Sequence, residues 1–217
     1  MATSLTNDGL FELPAETRRE PLARVIIVCG PSGSGKTRFV NRTGLPVVSL
    51  DDFYFEGSQS GLPHRHGMID WDSIKTWNKT AAITALVDLC TTGRAEIPIY
   101  DIPTNSQIGV RTAELDGRRY VLTEGIFAAD IIEDLRNEGI LADAMCIERP
   151  RFQTFWFRLM RDLDEARKPL INLLRRGFAH FRREPKLYLE LESKGARRVS
   201  YAEAQEALTQ ILAAQRW

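Results

Sequence analysis

Val25-Ile26-Ile27-Val28-Cys29-Gly30-Pro31-Ser32-Gly33-Ser34-Gly35-Lys36-Thr37 is the stretch from which the rest of the chain is read. Its first five residues are apolar without alternation and mostly β-branched. That pattern predicts a parallel strand covered on both faces. The next eight fit the phosphate-loop pattern G-x-x-x-x-G-K-[ST] in full. Glycines let the backbone curl so that successive N–H groups point at one anion. The helix predicted from about Lys36 adds its unpaired amides and the positive end of its dipole. Lys36 then reaches the β- and γ-phosphates, and the Thr37 hydroxyl holds Mg²⁺. Ordinary residue frequencies give a chance match on the order of one per cent or less in a chain of this length. The strand before and the helix after lower it further.

Outward from this stretch, strands and helices alternate. Pro46 to Leu50 reads as a second strand that ends in Asp51-Asp52. Residues 53–72 are rich in Gly, Pro and His and read as a long loop, which in a compact domain is usually functional. Residues 73–91 have apolar residues at helical spacing. Ile97–Tyr100, Val110–Leu115, Arg119–Thr123 and Ala144–Ile147 read as strands, and Asp130–Asn137 as a helix. From Phe152 onward the chain reads almost wholly helical. Ser200 and Glu203 form a capping box that opens the last helix. The alternation predicts an α/β fold with a mainly parallel sheet: a three-layer P-loop NTPase fold with a helical lid. Residues 1–22 read as a preamble with one short helix at 15–20. Residues 23–217 read as one domain, with the lid at about 150–170 and C-terminal helices over 170–217.

Composition narrows the partners. The 217 residues carry 29 Lys and Arg against 29 Asp and Glu, so the net charge is zero. This argues against a nucleic-acid polymer or an anionic membrane as partner. No apolar run is long enough to cross a bilayer, and residues 1–20 lack an apolar signal core. Three cysteines, Cys29, Cys90 and Cys146, make neither a disulfide framework nor a CxxC site. A cytoplasmic protein with reduced thiols is the simplest expectation. The zero balance hides a division: residues 149–186 hold eleven Lys and Arg against four Asp and Glu. The positive segment coincides with the expected lid and the helices after it.

In open α/β sheets, ligands sit beyond the carboxyl ends of the strands. Asp51-Asp52 and Glu124 stand at two such ends. A carboxylate beside the γ-phosphate accepts the proton of an attacking hydroxyl or orients Mg²⁺. Each acid would also be ordinary as a solvated residue at a strand–loop junction, and the phosphate loop favours the functional reading, more for Asp51 than for Asp52. Arg158 and Arg161 are three apart and share a helix face. Two guanidiniums on one face neutralise charge on a transferring phosphoryl group, although both also sit at salt-bridge spacing to Asp162 and Glu165. Trp71, on the loop, is a candidate to stack on a ligand, whereas Trp77 at helical spacing is expected in the core. His64 and His66 without a third ligand do not make a metal site.

Several segments in order resemble the uridine kinase-like P-loop kinases, a group that also includes phosphoribulokinase and a bacterial pantothenate kinase. They are Gly30–Thr37, Ser49-Leu50-Asp51-Asp52-Phe53-Tyr54, Asp70-Trp71-Asp72, Pro98-Ile99-Tyr100-Asp101, Glu124-Gly125-Ile126-Phe127 and Arg158-Leu159-Met160-Arg161-Asp162. Together they span about residues 25–170. The resemblance implies an ATP- and Mg²⁺-dependent kinase acting on a primary hydroxyl of a small molecule, most plausibly a nucleoside 5′-OH.

The resemblance also implies roles. Gly30, Ser32, Gly33, Ser34, Gly35, Lys36, Thr37 and Arg38 bind ATP. Asp51 is the catalytic base and stands near Mg²⁺, with Thr37 and Glu124 serving the metal. Lys36, Arg158 and Arg161 stabilise transferring charge. Tyr54, Trp71, Asp72, Tyr100 and Asn105 line the acceptor site with Asp51 and Arg158. Asn105 stands where uridine and cytidine kinases have a pyrimidine-reading His, Gln107 where an Arg follows, and Ala166 at another lid Arg. Ser73-Ile74 replaces a His-Pro pair. The phosphate-handling positions match and the base-reading positions differ. A kinase of a non-nucleoside alcohol, pantothenate-like or sugar-like, and a catalytically silent ATP-binding regulator are the alternatives. A homo-oligomer is compatible with either.

Overall fold

The structure, a computed structural model, describes residues 20–65, 67–150, 152, 154 and 184–214. Its centre is a five-stranded, wholly parallel sheet of β1 (Arg24–Cys29), β2 (Val47–Ser49), β7 (Tyr120–Glu124), β8 (Leu141–Glu148) and β9 (Arg197–Ser200), in the order β2-β7-β1-β8-β9. β1 is central because it is apolar on both sides: Val25 to Val28 are fully buried. Its odd residues face one core, with Val48, Leu86, Leu89, Ile131 and Ile132. Ile26 and Val28 face the other, with Phe39, Leu122, Met145 and Leu208. Two cores on opposite faces of one sheet are the three layers expected from the sequence.

The first layer contains α2 (Lys79–Thr92) and α3 (Ile132–Asn137). The Asn78 side chain caps α2 by accepting from the Ala81 N–H, and Gly93 ends it in the left-handed conformation. The second contains α1 (Lys36–Val40) and a C-terminal helix, here α5 (Tyr201–Ala213), which follows a helix over 184–193, here α4. The capping box at Ser200 and Glu203 is present with both of its hydrogen bonds.

Four features differ from the sequence reading. The loop over 53–72 contains a small hairpin, β3 (His64–Arg65) against β4 (Met68–Ile69). The strands expected at 97–100 and 110–115 are longer, β5 (Arg94–Asp101) and β6 (Ser106–Glu114), and form an antiparallel arm separate from the main sheet. The helix expected over 73–91 is broken into a 3-10 turn at Ile74–Thr76 and α2. The C-terminal region is not all helix, because β9 extends the sheet beside β8. The helix at 15–20, His66 and nearly all of the lid, with Arg158, Arg161 and Ala166, lie outside the described residues.

Trp77 is core, as expected. Its indole N–H donates to the Leu50 carbonyl at 2.7 Å, and this ties the start of α2 to the turn that carries Asp51. Cys29, Cys90 and Cys146 are buried free thiols. Trp77→Phe keeps most of the apolar volume but strands the Leu50 carbonyl. It is expected to lower unfolding free energy by about 1–3 kcal/mol, read by chemical denaturation.

Candidate active site

The candidate site lies at the carboxyl ends of β1, β2, β7 and β8. Between β1 and α1 the chain turns through Gly30, Gly33 and Gly35, all at positive φ (136°, 87° and 90°). Glycine is required at the first for a second reason. A Cβ on Gly30 would lie 2.8 Å from the Ile147 carbonyl oxygen. Helix α1 has only five residues and no acid in its first turn. Anion binding therefore falls to the amides of the loop itself and to Lys36 more than to a helix dipole. The Lys36 ammonium donates to the Gly30 and Pro31 carbonyls at 2.9 and 3.1 Å, so it folds over the loop it serves. Ser34 is fully buried in the turn, and its hydroxyl has no hydrogen-bond partner among the described residues.

One residue on, the Thr37 hydroxyl donates to Glu124 Oε1 at 3.0 Å. This joins the phosphate loop to the end of β7. The pairing follows from the sheet, since Val28 lies beside Glu124 in register. Hard oxygen donors of this kind suit Mg²⁺, which is commonly held by one or two carboxylates with substrate phosphates and water. No group of three or more His, Cys, Asp or Glu able to hold a metal occurs among the described residues.

Asp51 sits on a 3-10 turn (Leu50–Phe53) directly after β2. The backbone N–H of Ile126 donates to its Oδ1 at 3.4 Å. Gly125 makes this approach possible: a Cβ there would lie 2.8 Å from Leu50 Cβ and 3.0 Å from Asp51 Oδ1. Glu124, Gly125 and Ile126 thus act in succession: a carboxylate bonded to Thr37, clearance, and orientation of Asp51. Burial, first, and the neighbouring Glu124 charge raise the Asp51 carboxyl above its ordinary range, while the Ile126 N–H and Lys36 pull the other way. Asp52 is also raised by burial. Arg111, from β6, faces it at 3.5 Å.

The acceptor side is aromatic. Tyr54 meets Trp71 edge-on at 5.5 Å and packs with Tyr100 at 5.8 Å and Phe127 at 6.0 Å. The Tyr54 hydroxyl donates to the Trp71 carbonyl and the Tyr100 hydroxyl to the Phe55 carbonyl. Asp72 is exposed beside this cluster. Asn105 stands in the turn between β5 and β6 at φ 51°, and its carbonyl accepts from the Gly57 N–H at 2.8 Å. In this structure its described contacts tie the 53–57 segment to the arm. Arg38 is exposed on α1.

The structure therefore brings together the phosphate loop, Asp51, Glu124 and the aromatic cluster. Arg158 and Arg161 lie outside the described residues. Two residues at the site carry no signal that the sequence reading used. Arg149, just past β8, and Tyr201, at the start of α5, meet beside the loop, with the guanidinium carbon 4.6 Å from the ring centroid. Arg149 could have been found from its place two residues beyond the predicted strand Ala144–Ile147. Tyr201 follows a strand that the reading did not contain.

No protein-family model matches the chain. A uridine kinase of Ureaplasma parvum serovar 3 is 28% identical over 153 residues, which cover 66% of this chain and 71% of that protein. An inorganic pyrophosphatase, TTM2, of Arabidopsis thaliana is 32% identical over 108 residues, 46% of this chain and 15% of that protein. A proposed fructose transport system kinase from Silicibacter sp. TM1040 shares the fold with a TM-score of 0.53 at 19% identity, over 84% of this chain and 91% of that one. The relatives and the shared fold bear out the resemblance to uridine kinase-like P-loop kinases.

Gly125→Ala is expected to displace Asp51 and reduce turnover at least tenfold while the nucleotide still binds, measured by steady-state kinetics beside nucleotide titration. A second expectation concerns stability. Because the folded Asp51 pKa lies above the unfolded value of 3.8, the folded state holds that proton more tightly. The associated stability is complete below the unfolded pKa and is lost as pH rises through the folded one. Asp51→Asn should therefore raise the melting temperature by a few degrees at pH 7 without Mg²⁺, and the gain should shrink to nothing near pH 3. Equal melting temperatures at pH 7 would contradict it.

Proposed function

We propose that the protein is an ATP- and Mg²⁺-dependent kinase that moves the γ-phosphoryl group to a primary hydroxyl of a small molecule, most plausibly the 5′-OH of a nucleoside. One observation carries the reading. The Thr37–Glu124 contact and the Ile126–Asp51 contact, two residues apart on one strand end, set a metal-side acid and a candidate base against the same phosphate loop. The names of the relatives support a kinase, and the aromatic cluster supports a flat acceptor.

In this reading the loop amides and Lys36 hold the phosphates, and Thr37 and Glu124 would hold Mg²⁺, which when bound would supply charge neutralisation. Asp51 accepts the proton of the acceptor hydroxyl as the oxygen attacks. Its raised pKa suits this task, since a base nearer the working pH takes the proton more effectively than an ordinary surface carboxylate. Tyr54, Trp71 and Tyr100 hold the acceptor by stacking, and Asp72 stands where sugar hydroxyls would be met. Arg158 and Arg161 join from the lid and stabilise transferring charge, and closure excludes the water that would otherwise consume ATP. Stacking tolerates any flat ligand, whereas hydrogen bonding discriminates. With Asn105 in the turn of the arm, recognition of the ring edge is expected to be looser than in an enzyme with a His there.

ATP consumption against a panel of nucleosides and other alcohols tests the proposal. Turnover with uridine or cytidine is expected. Turnover only with a non-nucleoside alcohol would move the acceptor, and ATP binding without any acceptor-dependent turnover would make the protein a regulator. Asp51→Asn should cut acceptor phosphorylation by at least a hundredfold with ATP affinity within about threefold of the parent. Near-normal turnover in that variant would remove Asp51 from the mechanism.

A further inference from the structure

We propose that Arg149 is a nucleotide-binding residue, a fixed cation on the flank of the phosphate loop that engages the phosphates of ATP. The inference rests on the reading of Gly30–Thr37 as the ATP site.

Arg149 leaves the sheet one residue beyond β8. β8 and β1 run parallel, with Cys29, the last residue of β1, beside Cys146. β8 continues two residues further, so β1 turns into the loop while β8 runs on alongside it and leads into Arg149. The side chain turns onto the loop. A Cβ built on Gly35 would lie 3.2 Å from one Arg149 Nη atom and 3.5 Å from both Cζ and Nε. Near-equal distances to three atoms of a planar group mean that the guanidinium lies face-on to Gly35. A side chain there would have to push it away, so Gly35 serves this approach as well as the loop's left-handed turn.

The second contact fixes the same group from another element. The Arg149 guanidinium carbon lies over the Tyr201 ring at 4.6 Å, within cation–π range. Tyr201 is itself held. It is the first residue after the Ser200 cap of α5, and its ring meets Phe39 edge-on at 5.7 Å. Phe39 belongs to α1, the helix that leaves the loop. The contacts thus form a ring: β8 to Arg149, to Tyr201 on α5, to Phe39 on α1, and back through Gly35. A charge held this way needs little reordering when an anion arrives.

Guanidinium N–H bonds lie in its plane, and Gly35 meets one of its faces. Gly35 directly precedes Lys36, so this charge stands next to the lysine that reaches the β- and γ-phosphates. Arginine suits the position better than lysine, because its planar fork can bind two phosphate oxygens at once while stacked on a ring. The assignment also makes sense of Tyr201, whose hydroxyl is buried with no hydrogen-bond partner among the described residues. The ring is there for its face.

The test is calorimetric titration of the full chain with ATP, AMP, adenosine and inorganic tripolyphosphate, all with Mg²⁺. Arg149→Met is expected to bind ATP and tripolyphosphate at least tenfold more weakly, to lose less for AMP, and to leave adenosine unchanged. Arg149→Lys should recover part of the loss. Tyr201→Ala should weaken ATP several-fold, whereas Tyr201→Phe should not. Thermal melting of each variant without nucleotide, within about 2 °C of the parent, excludes loss by misfolding. Parent-like binding of ATP and tripolyphosphate by Arg149→Met overturns the inference, and so does an equal loss for ATP and adenosine. The two failures separate through Lys36→Ala. If the parent binds ATP and Lys36→Ala abolishes it while Arg149→Met does not matter, only the role of Arg149 falls. If the parent binds neither ATP nor tripolyphosphate, the ATP reading falls and takes the inference with it.

Discussion

The register of β1 between β7 and β8 is the constraint from which the candidate site follows. Val28 lies beside Glu124 and Cys29 beside Cys146. With β1 paired in this register, the loop after it meets the Glu124 carboxylate on one side and, past the longer β8, the Arg149 guanidinium on the other. A slip of one residue would turn every side chain of β1 to the opposite face. It would also move Gly30 away from the Ile147 carbonyl, against which only a glycine fits. The buried, β-branched residues of β1 therefore do more than fill a core. They hold the alignment that the site requires.

Clearance is the second theme. Gly30, Gly35 and Gly125 each face a group that a methyl would displace: a strand carbonyl, a guanidinium and the Asp51 carboxylate. Each glycine lets a charged or polar group approach the backbone closely, where the N–H groups are. Asp51 shows the energetic consequence. Its carboxylate is drawn out of water beside Glu124, which raises its pKa and destabilises the ionised form at neutral pH. The fold tolerates this because the Ile126 N–H and Lys36 partly offset it. A carboxylate placed this way gains when a metal ion, a proton or a substrate hydroxyl arrives, which is the condition of a working base.

How much of this the sequence discloses depends on range. The phosphate loop is legible because its chemistry is local: eight consecutive residues carry the turn, the lysine and the hydroxyl. The central strands are legible because burial on both faces leaves an unbroken apolar run. β9 was hidden because Arg197-Arg198-Val199-Ser200 buries only Val199. Its arginines are retained by Asp143 and Glu148 on the neighbouring strand, pairs formed by residues 50 or more apart. The antiparallel arm was read too short for a similar reason. Glu96 on β5 is exposed, and so are Gln107 and Ile108 at the start of β6, so the outer residues of the arm carry no regular apolar signal. Asn105 was expected at the acceptor on the strength of its place in a motif, but its described bonds are those of a turn residue. Arg149 stands just past a predicted strand and opens the basic segment, but neither feature singles it out. Its meaning depends on Gly35 and Tyr201, which only the fold brings to it.

The sheet order also divides the chemistry. β2 and β7 lie on one side of β1 and carry Asp51, Glu124 and the connection to the aromatic cluster. β8 and β9 lie on the other and lead into Arg149 and Tyr201. An in-line phosphoryl transfer needs its acceptor and its leaving group on opposite sides of the moving phosphorus. With the phosphate loop at the central strand, an acceptor held over β2 and β7 and a nucleotide held toward β8 and β9 approach from opposite directions. In the proposed function, the acids lie where a hydroxyl would lose its proton, and the Arg149 cation lies where a polyanion would be held.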